Sequence, residues 1–131
     1  MSYFTVRGIC PISAGGGCAE ATTFLASATG LSGTDITNYT NLICGLVSDG
    51  VWSGIDVLHV YASNNSSNAV LNLKDTGTYL ATLVGSPTFT AYQGYSISAA
   101  AGLNTQFVPS AAAHWTQNAA SLGIWVISST P

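Results

Sequence analysis

The sequence predicts a mainly β chain: short antiparallel strands packed beside one N-terminal amphipathic helix, with an extended N-terminal arm in front. Three observations carry that reading. A stripe at three-to-four spacing runs through Leu31–Asp49 and then stops. Beyond Gly50, short β-branched and aromatic runs alternate with turn residues. Ahead of the helix, residues 1–30 are mostly small and polar, with few apolar anchors.

Within the arm, Tyr3–Ile9 alternates Tyr3, Thr5 and Arg7 against Phe4, Val6 and Gly8, a pattern suited to an edge strand that Pro11 and the glycine run then break. Residues 19–29, rich in Thr and Ala, are expected to order only across a neighbouring subunit. The body of the chain, residues 31–131, reads as a single β-rich domain with its helix near 35–49. Thr34 or Asp35 is a suitable N-cap, because a short side-chain oxygen accepts an orphan N–H of the first turn. Ile36, Tyr39, Ile43, Leu46 and Val47 make the apolar stripe, and Gly50 supplies the C′ stop. Predicted strands follow at Gly54–Ala62, Ala69–Leu73, Tyr79–Val84, Thr88–Tyr92 and from Gly94, with a brief one in Leu103–Val108. Polar turns separate them at Ser63–Asn68, Lys74–Gly77 and Gly85–Pro87. A last strand is expected within Ala119–Ser128, from Ser121 to Ile127.

Charge is the outstanding feature of the composition. Only Arg7, Glu20, Asp35, Asp49, Asp56, Lys74 and Asp75 are charged, 5% of the 131 residues, where an ordinary soluble domain has about 25%. The hydrophobic share, 47%, is sufficient for a core. What is lacking is the charged coat that keeps monomers apart, so the chain is expected to be covered by copies of itself or by partner subunits. Two cationic side chains exclude a nucleic-acid partner, because backbone phosphates would meet almost no counter-charge. A membrane partner is not expected either: Gly54–Ala62 and Ala119–Ile127 are interrupted by Asp56, His59 or Ser121, and the first residues lack the pattern of a secretory signal.

Chemistry is hard to place. Two facing carboxylates are needed for glycoside hydrolysis, yet Asp35, Asp49 and Asp75 fall at predicted caps and turns. Asp56 and His59, three apart on a predicted strand, point to opposite faces. There is no GxSxG elbow, and Gly15-Gly16-Gly17 lacks the Lys-Ser/Thr of a phosphate loop. No cofactor and no metal is expected, since there is no CxxC pair and the acids are few. Cys10, Cys18 and Cys44 allow at most one intrachain disulfide; Cys10 and Cys18, flanking the glycine run, are the candidate pair, but three free thiols are the favoured reading in the absence of an export signal. The aromatic residues offer contact area with polar tips, suited to subunit interfaces or to sugar stacking. Tyr92, Tyr95 and Trp115 are the candidate interface or glycan-contact residues, with a place in the core as the alternative for each.

Three passages taken in order resemble a known family. They are LICGLVSDGVWSGIDVLHVYASNNSSNAVLNLKD (Leu42–Asp75), SPTFTAYQGYSI (Ser86–Ile97) and WTQNAASLGIWV (Trp115–Val126). Together they look like a module of bacteriophage and prophage virion proteins that often adjoins a concanavalin-like (LamG-type) jelly roll. The resemblance spans roughly residues 35–127. It implies an antiparallel sandwich-like, jelly-roll-related fold and a virion structural role in a capsid, decoration layer, tail or fibre, assembled in the bacterial host cytoplasm. Other virion proteins, and in the alternative a host-surface glycan, are the implied partners; no catalytic residue comes with it. Family members continue past the TQN…SLG strand, and their glycine-rich passage is replaced here by SISAAAGLNTQFVPS. The expectation is therefore a shortened relative whose missing strands neighbouring subunits supply.

Overall fold

Ser32 and Asp35 start the longest helix of the chain, α2 (Gly33–Ser48), by reciprocal capping. The Ser32 hydroxyl accepts from the Asp35 N–H at 3.2 Å, and the Asp35 carboxylate accepts from the Ser32 N–H at 2.9 Å. The cap thus sits at Ser32, upstream of the expected Thr34 or Asp35. Gly50, at φ +72°, ends the helix as expected. Its N–H reaches the Val47 carbonyl and that of Val51 reaches Leu46, the paired bonds of a Schellman motif. Tyr39 and Ile43 are buried, Leu46 and Val47 half-buried, and Ile36 faces outward.

These observations come from a computed structural model that describes residues 17–97, 100–124 and 126. The expected strand at Tyr3–Ile9 lies outside the described residues. Of the expected arm, the described residues 17–30 do not hold up as an arm. Ala19–Ser27 forms a helix, α1, which places Ala21 and Phe24 in the core and sets the Phe24 ring against that of Tyr39, tilted by 47° with centroids 4.7 Å apart. Phe24 is the anchor that the small-residue composition concealed. The Cys18–Cys44 disulfide joins the start of α1 to α2, with the Cα atoms 5.6 Å apart.

The mainly β sandwich is also corrected. Among the described residues there are three helices and two separate two-stranded antiparallel sheets. In one, β1 (Thr82–Val84) pairs with β4 (Gly102–Asn104); in the other, β2 (Thr88–Thr90) pairs with β3 (Gly94–Ser96). Every strand is three residues long, and the strands bury no large hydrophobic side chain. The core lies upstream of them, where Ala21, Phe24, Tyr39, Ile43, Trp52 and Leu73 cluster and Leu58, Val60 and Leu71 pack against it.

The predicted strand Gly54–Ala62 begins as a 3-10 turn, Trp52–Gly54, and continues as extended chain with one isolated bridge, His59 to Asn72. Ile55, Leu58 and Val60 pack against the core formed with α1 and α2, while Tyr61 stacks on His59, so strand propensity here reflects burial without a ladder. The predicted strand Ala69–Leu73 loses its start to a short helix, α3 (Ser66–Ala69). Asn65 caps it by accepting from the Asn68 N–H at 2.8 Å, local side-chain chemistry that competes with pairing.

Buried amides do the work that ladders do in a sheet. Asn68 accepts from the Thr29 N–H at 2.9 Å and donates to the Thr29 carbonyl at 2.7 Å and to Asn64 Oδ1 at 2.8 Å. Asn72 accepts from the N–H groups of Leu58 (3.0 Å) and Lys74 (3.1 Å) and donates to the Thr78 carbonyl at 3.3 Å. Both side chains are fully buried, so these bonds satisfy backbone groups that would otherwise be costly to enclose. Of the predicted closing strand, the described part forms no ladder; the nearest pairing is the isolated bridge between Thr116 and Ala119.

Candidate functional site: a cleft beside an aromatic row

Asp56 follows the 3-10 turn and points at the segment after a second such turn, Pro109–Ala111. Its carboxylate accepts from the Ala113 N–H at 3.0 Å, from the His114 N–H at 3.1 Å and from His114 Nδ1 at 3.0 Å. A carboxylate acceptor requires the hydrogen to be on Nδ1. Burial pushes the Asp56 carboxyl up, but the His114 ring and the two backbone N–H groups outweigh it and hold the group below its usual range. Asp56 therefore fastens residues 113–114 to the body of the chain.

Beside this clamp lies an open cleft of about 660 Å³, lined by Thr23, Lys74, Asp75, Thr78, Tyr79 and the clamp itself. The ammonium of Lys74 is already engaged: Nζ donates to the Trp52 carbonyl at 2.7 Å and sits 4.9 Å from the centre of the Trp52 ring. Tyr79 has φ +52°, strained for a bulky residue. Its ring meets Phe107 edge-on at 5.3 Å, and Phe107 meets Trp115 in the same way at 5.4 Å. Trp115, one of the three residues singled out from the sequence, thus ends a half-buried aromatic row next to the cleft.

Tyr95 belongs to a different cluster. The β2–β3 register sets it opposite Phe89, with centroids 5.1 Å apart. Tyr61 meets its edge at 6.4 Å and stacks on His59 at 5.3 Å. Burial raises the phenols of Tyr61 and Tyr95. His59 Nδ1 donates to the Leu71 carbonyl at 3.0 Å, while Nε2 is buried without a partner among the described residues, and burial lowers the pKa of the ring. Asp56 and His59 go to different partners and form no dyad.

Tyr92, 60% exposed and at φ +61°, ties the β2–β3 turn to α2. Its N–H reaches the Ser63 carbonyl at 2.8 Å, and its hydroxyl donates to Asp35 Oδ2 at 3.3 Å. The Ser32 hydroxyl and N–H, with a smaller contribution from Tyr92, hold the Asp35 carboxyl below its usual range against desolvation.

The three expected contact residues therefore do not form one surface: Tyr92 lies in the β2–β3 turn and Tyr95 within β3, whereas Trp115 ends the row that Tyr79 joins to the cleft. For the cysteines, the structure bonds Cys18 to Cys44 in place of Cys10, which lies outside the described residues. The Asp56–His114 clamp was not legible in sequence, because its partners are 58 residues apart and belong to no motif. Among the described residues, no group of three His, Cys, Asp or Glu side chains is placed to hold a metal ion, and no helix is long and apolar enough to cross a membrane. No family model, curated protein or solved structure matches this chain.

Proposed function

We propose that the chain is a non-enzymatic structural protein of a virion, assembling in multiple copies. The observation that carries this reading is apolar surface without charge to guard it. Leu122, Ile124 and Val126 are 79%, 79% and 76% exposed, and Ile97 and Val108 also face outward. Single exposed apolar residues are ordinary in a monomer, but a run of them on a chain that is 5% charged marks a surface meant to be covered. The virion setting rests on the resemblance of the Leu42–Asp75, Ser86–Ile97 and Trp115–Val126 passages. The engagement of the Asp56 carboxylate by two backbone N–H groups favours anchoring over general-base work.

Sedimentation velocity and electron microscopy over a concentration series test the proposal. Concentration-dependent growth into defined particles or filaments is expected; a chain that stays monomeric at high concentration refutes it. One observation favours a second reading, a glycan-binding module: the cleft with Asp75 and Thr78 lies beside the Tyr79–Phe107–Trp115 row. Binding by the assembled protein on a glycan array, lost in Trp115→Ala, would support that reading, and silence across the array would remove it.

A further inference from the structure

Asp75 is the last charged residue of the chain, and residues 76–131 contain no Asp, Glu, Lys or Arg. All four strands lie in this uncharged half. Proteins usually guard a free strand edge with Lys, Pro or a bulge, because its unpaired N–H and C=O groups template further pairing. Here β1 carries no such guard. Thr82, Leu83 and Val84 are all exposed, Leu83 and Val84 by 48% and 52%, and among the described residues they make no backbone hydrogen bond outside the ladder with β4. The edge of β3 differs, for Gly94 is buried against the Tyr61 backbone, and the exposed residues of β2 are threonines.

The same half holds a segment suited to that edge. Leu122, Ile124 and Val126 recur at the period of a strand, and residues 120–124 are in neither helix nor ladder. We infer that the segment bearing Leu122, Ile124 and Val126 adds as a strand to the β1 edge of a second copy of this chain. Such an addition gives both sets of backbone groups partners and covers apolar side chains on both sides. Charge decides the occupant. A charged partner segment would be desolvated here against no counter-charge, whereas a second copy brings an uncharged, apolar segment to an uncharged, apolar edge. This inference deepens the assembly reading and rests on it.

The test uses the full chain. L122K/I124K places lysines at exposed positions outside the core and should leave the helical circular dichroism unchanged. N38K/N41K adds the same charge at exposed positions of α2 and serves as the control. Sedimentation should show association weakened by about tenfold or more in L122K/I124K and by less than about twofold in the control. Hydrogen–deuterium exchange of the assembled wild type should slow by about tenfold or more at residues 82–84 and 122–124, relative to the dilute protein. An assembly in which both segments exchange at the dilute rate, or which survives L122K/I124K unchanged, overturns the strand addition and leaves the assembly reading standing. A wild-type chain that remains monomeric overturns both.

Discussion

Replacing Asn72 with Leu tests whether buried amides hold the extended chain of this protein together. Leucine shares the Cγ branch of asparagine but is bulkier, so the change removes the hydrogen bonds without opening a cavity and adds some crowding at a fully buried position. Three backbone groups lose their partner: the N–H groups of Leu58 and Lys74 and the carbonyl of Thr78. Thr78 is exposed, so its carbonyl returns to water at little cost. Leu58 and Lys74 are half-buried, which places each orphaned N–H toward the lower part of the roughly 1–3 kcal/mol range for an unsatisfied buried group. Two such groups give a loss of about 3 kcal/mol, a large share of the roughly 5–15 kcal/mol that keeps a domain folded. For a chain of this size that corresponds to a fall in Tm of about 12 °C. Urea denaturation followed by circular dichroism, with the disulfide kept oxidised, measures it. A loss below about 1 kcal/mol would mean that packing alone holds residues 55–60, and the role given to Asn72 would be wrong.

Three further outcomes are expected. The Cys18–Cys44 bond closes a loop with a sequence separation of 26, so C18A/C44A should lose about 3 kcal/mol in the same urea assay, and an unchanged midpoint would count against the bond. Asp35 and Asp56 both have folded-state pKa values below the usual 3.8, so their contribution is present above that value and is lost as pH falls through the lower folded values. Asp56→Ala should abolish the share that fastens residues 113–114, seen as faster amide exchange there near neutral pH with α1 and α2 unaffected. Gly85 has φ +68°, and an added Cβ would stand 2.6 Å from the Ala100 carbonyl oxygen, so Gly85→Ala should cost about 1–3 kcal/mol and expose the β1–β4 amides to exchange.

The helix α2 was legible in the sequence because its signals are local, a stripe and a glycine stop, although its cap is the Ser32–Asp35 pair and not the expected Thr34 or Asp35. The strands β2 and β3 were legible in place, though not as a pair: the predicted strand Thr88–Tyr92 runs on into the turn at residues 91–93, and the one from Gly94 starts where β3 does. Where the reading failed, distant contacts decided. Phe24 makes α1 a core helix only because Tyr39 stands opposite it, and a Thr- and Ala-rich segment gives little warning of that. Gly54–Ala62 carries the composition of a strand, but the Asn72 side chain satisfies the Leu58 N–H, and the helices receive the apolar side chains. Composition reports that a segment will be buried more readily than it reports what will bury it. The candidate site was harder still. Trp115 was singled out as an aromatic with a polar tip, yet its neighbours Tyr79 and Phe107 and the Asp56–His114 clamp come from four separate stretches of chain.

The disulfide between α1 and α2 has a consequence for how the protein is made. Everything it ties together, the Phe24–Tyr39 and Cys18–Cys44 contacts included, lies between the start of α1 and the end of α2. During synthesis the two helices can meet while the uncharged half is still within or close to the ribosome, since chains fold from the N-terminal side as they emerge. The segments most prone to pair with other copies then appear beside a helical body that already exists. Release from the ribosome, and not collapse of the core, becomes the moment at which neighbouring chains first compete for one another's edges.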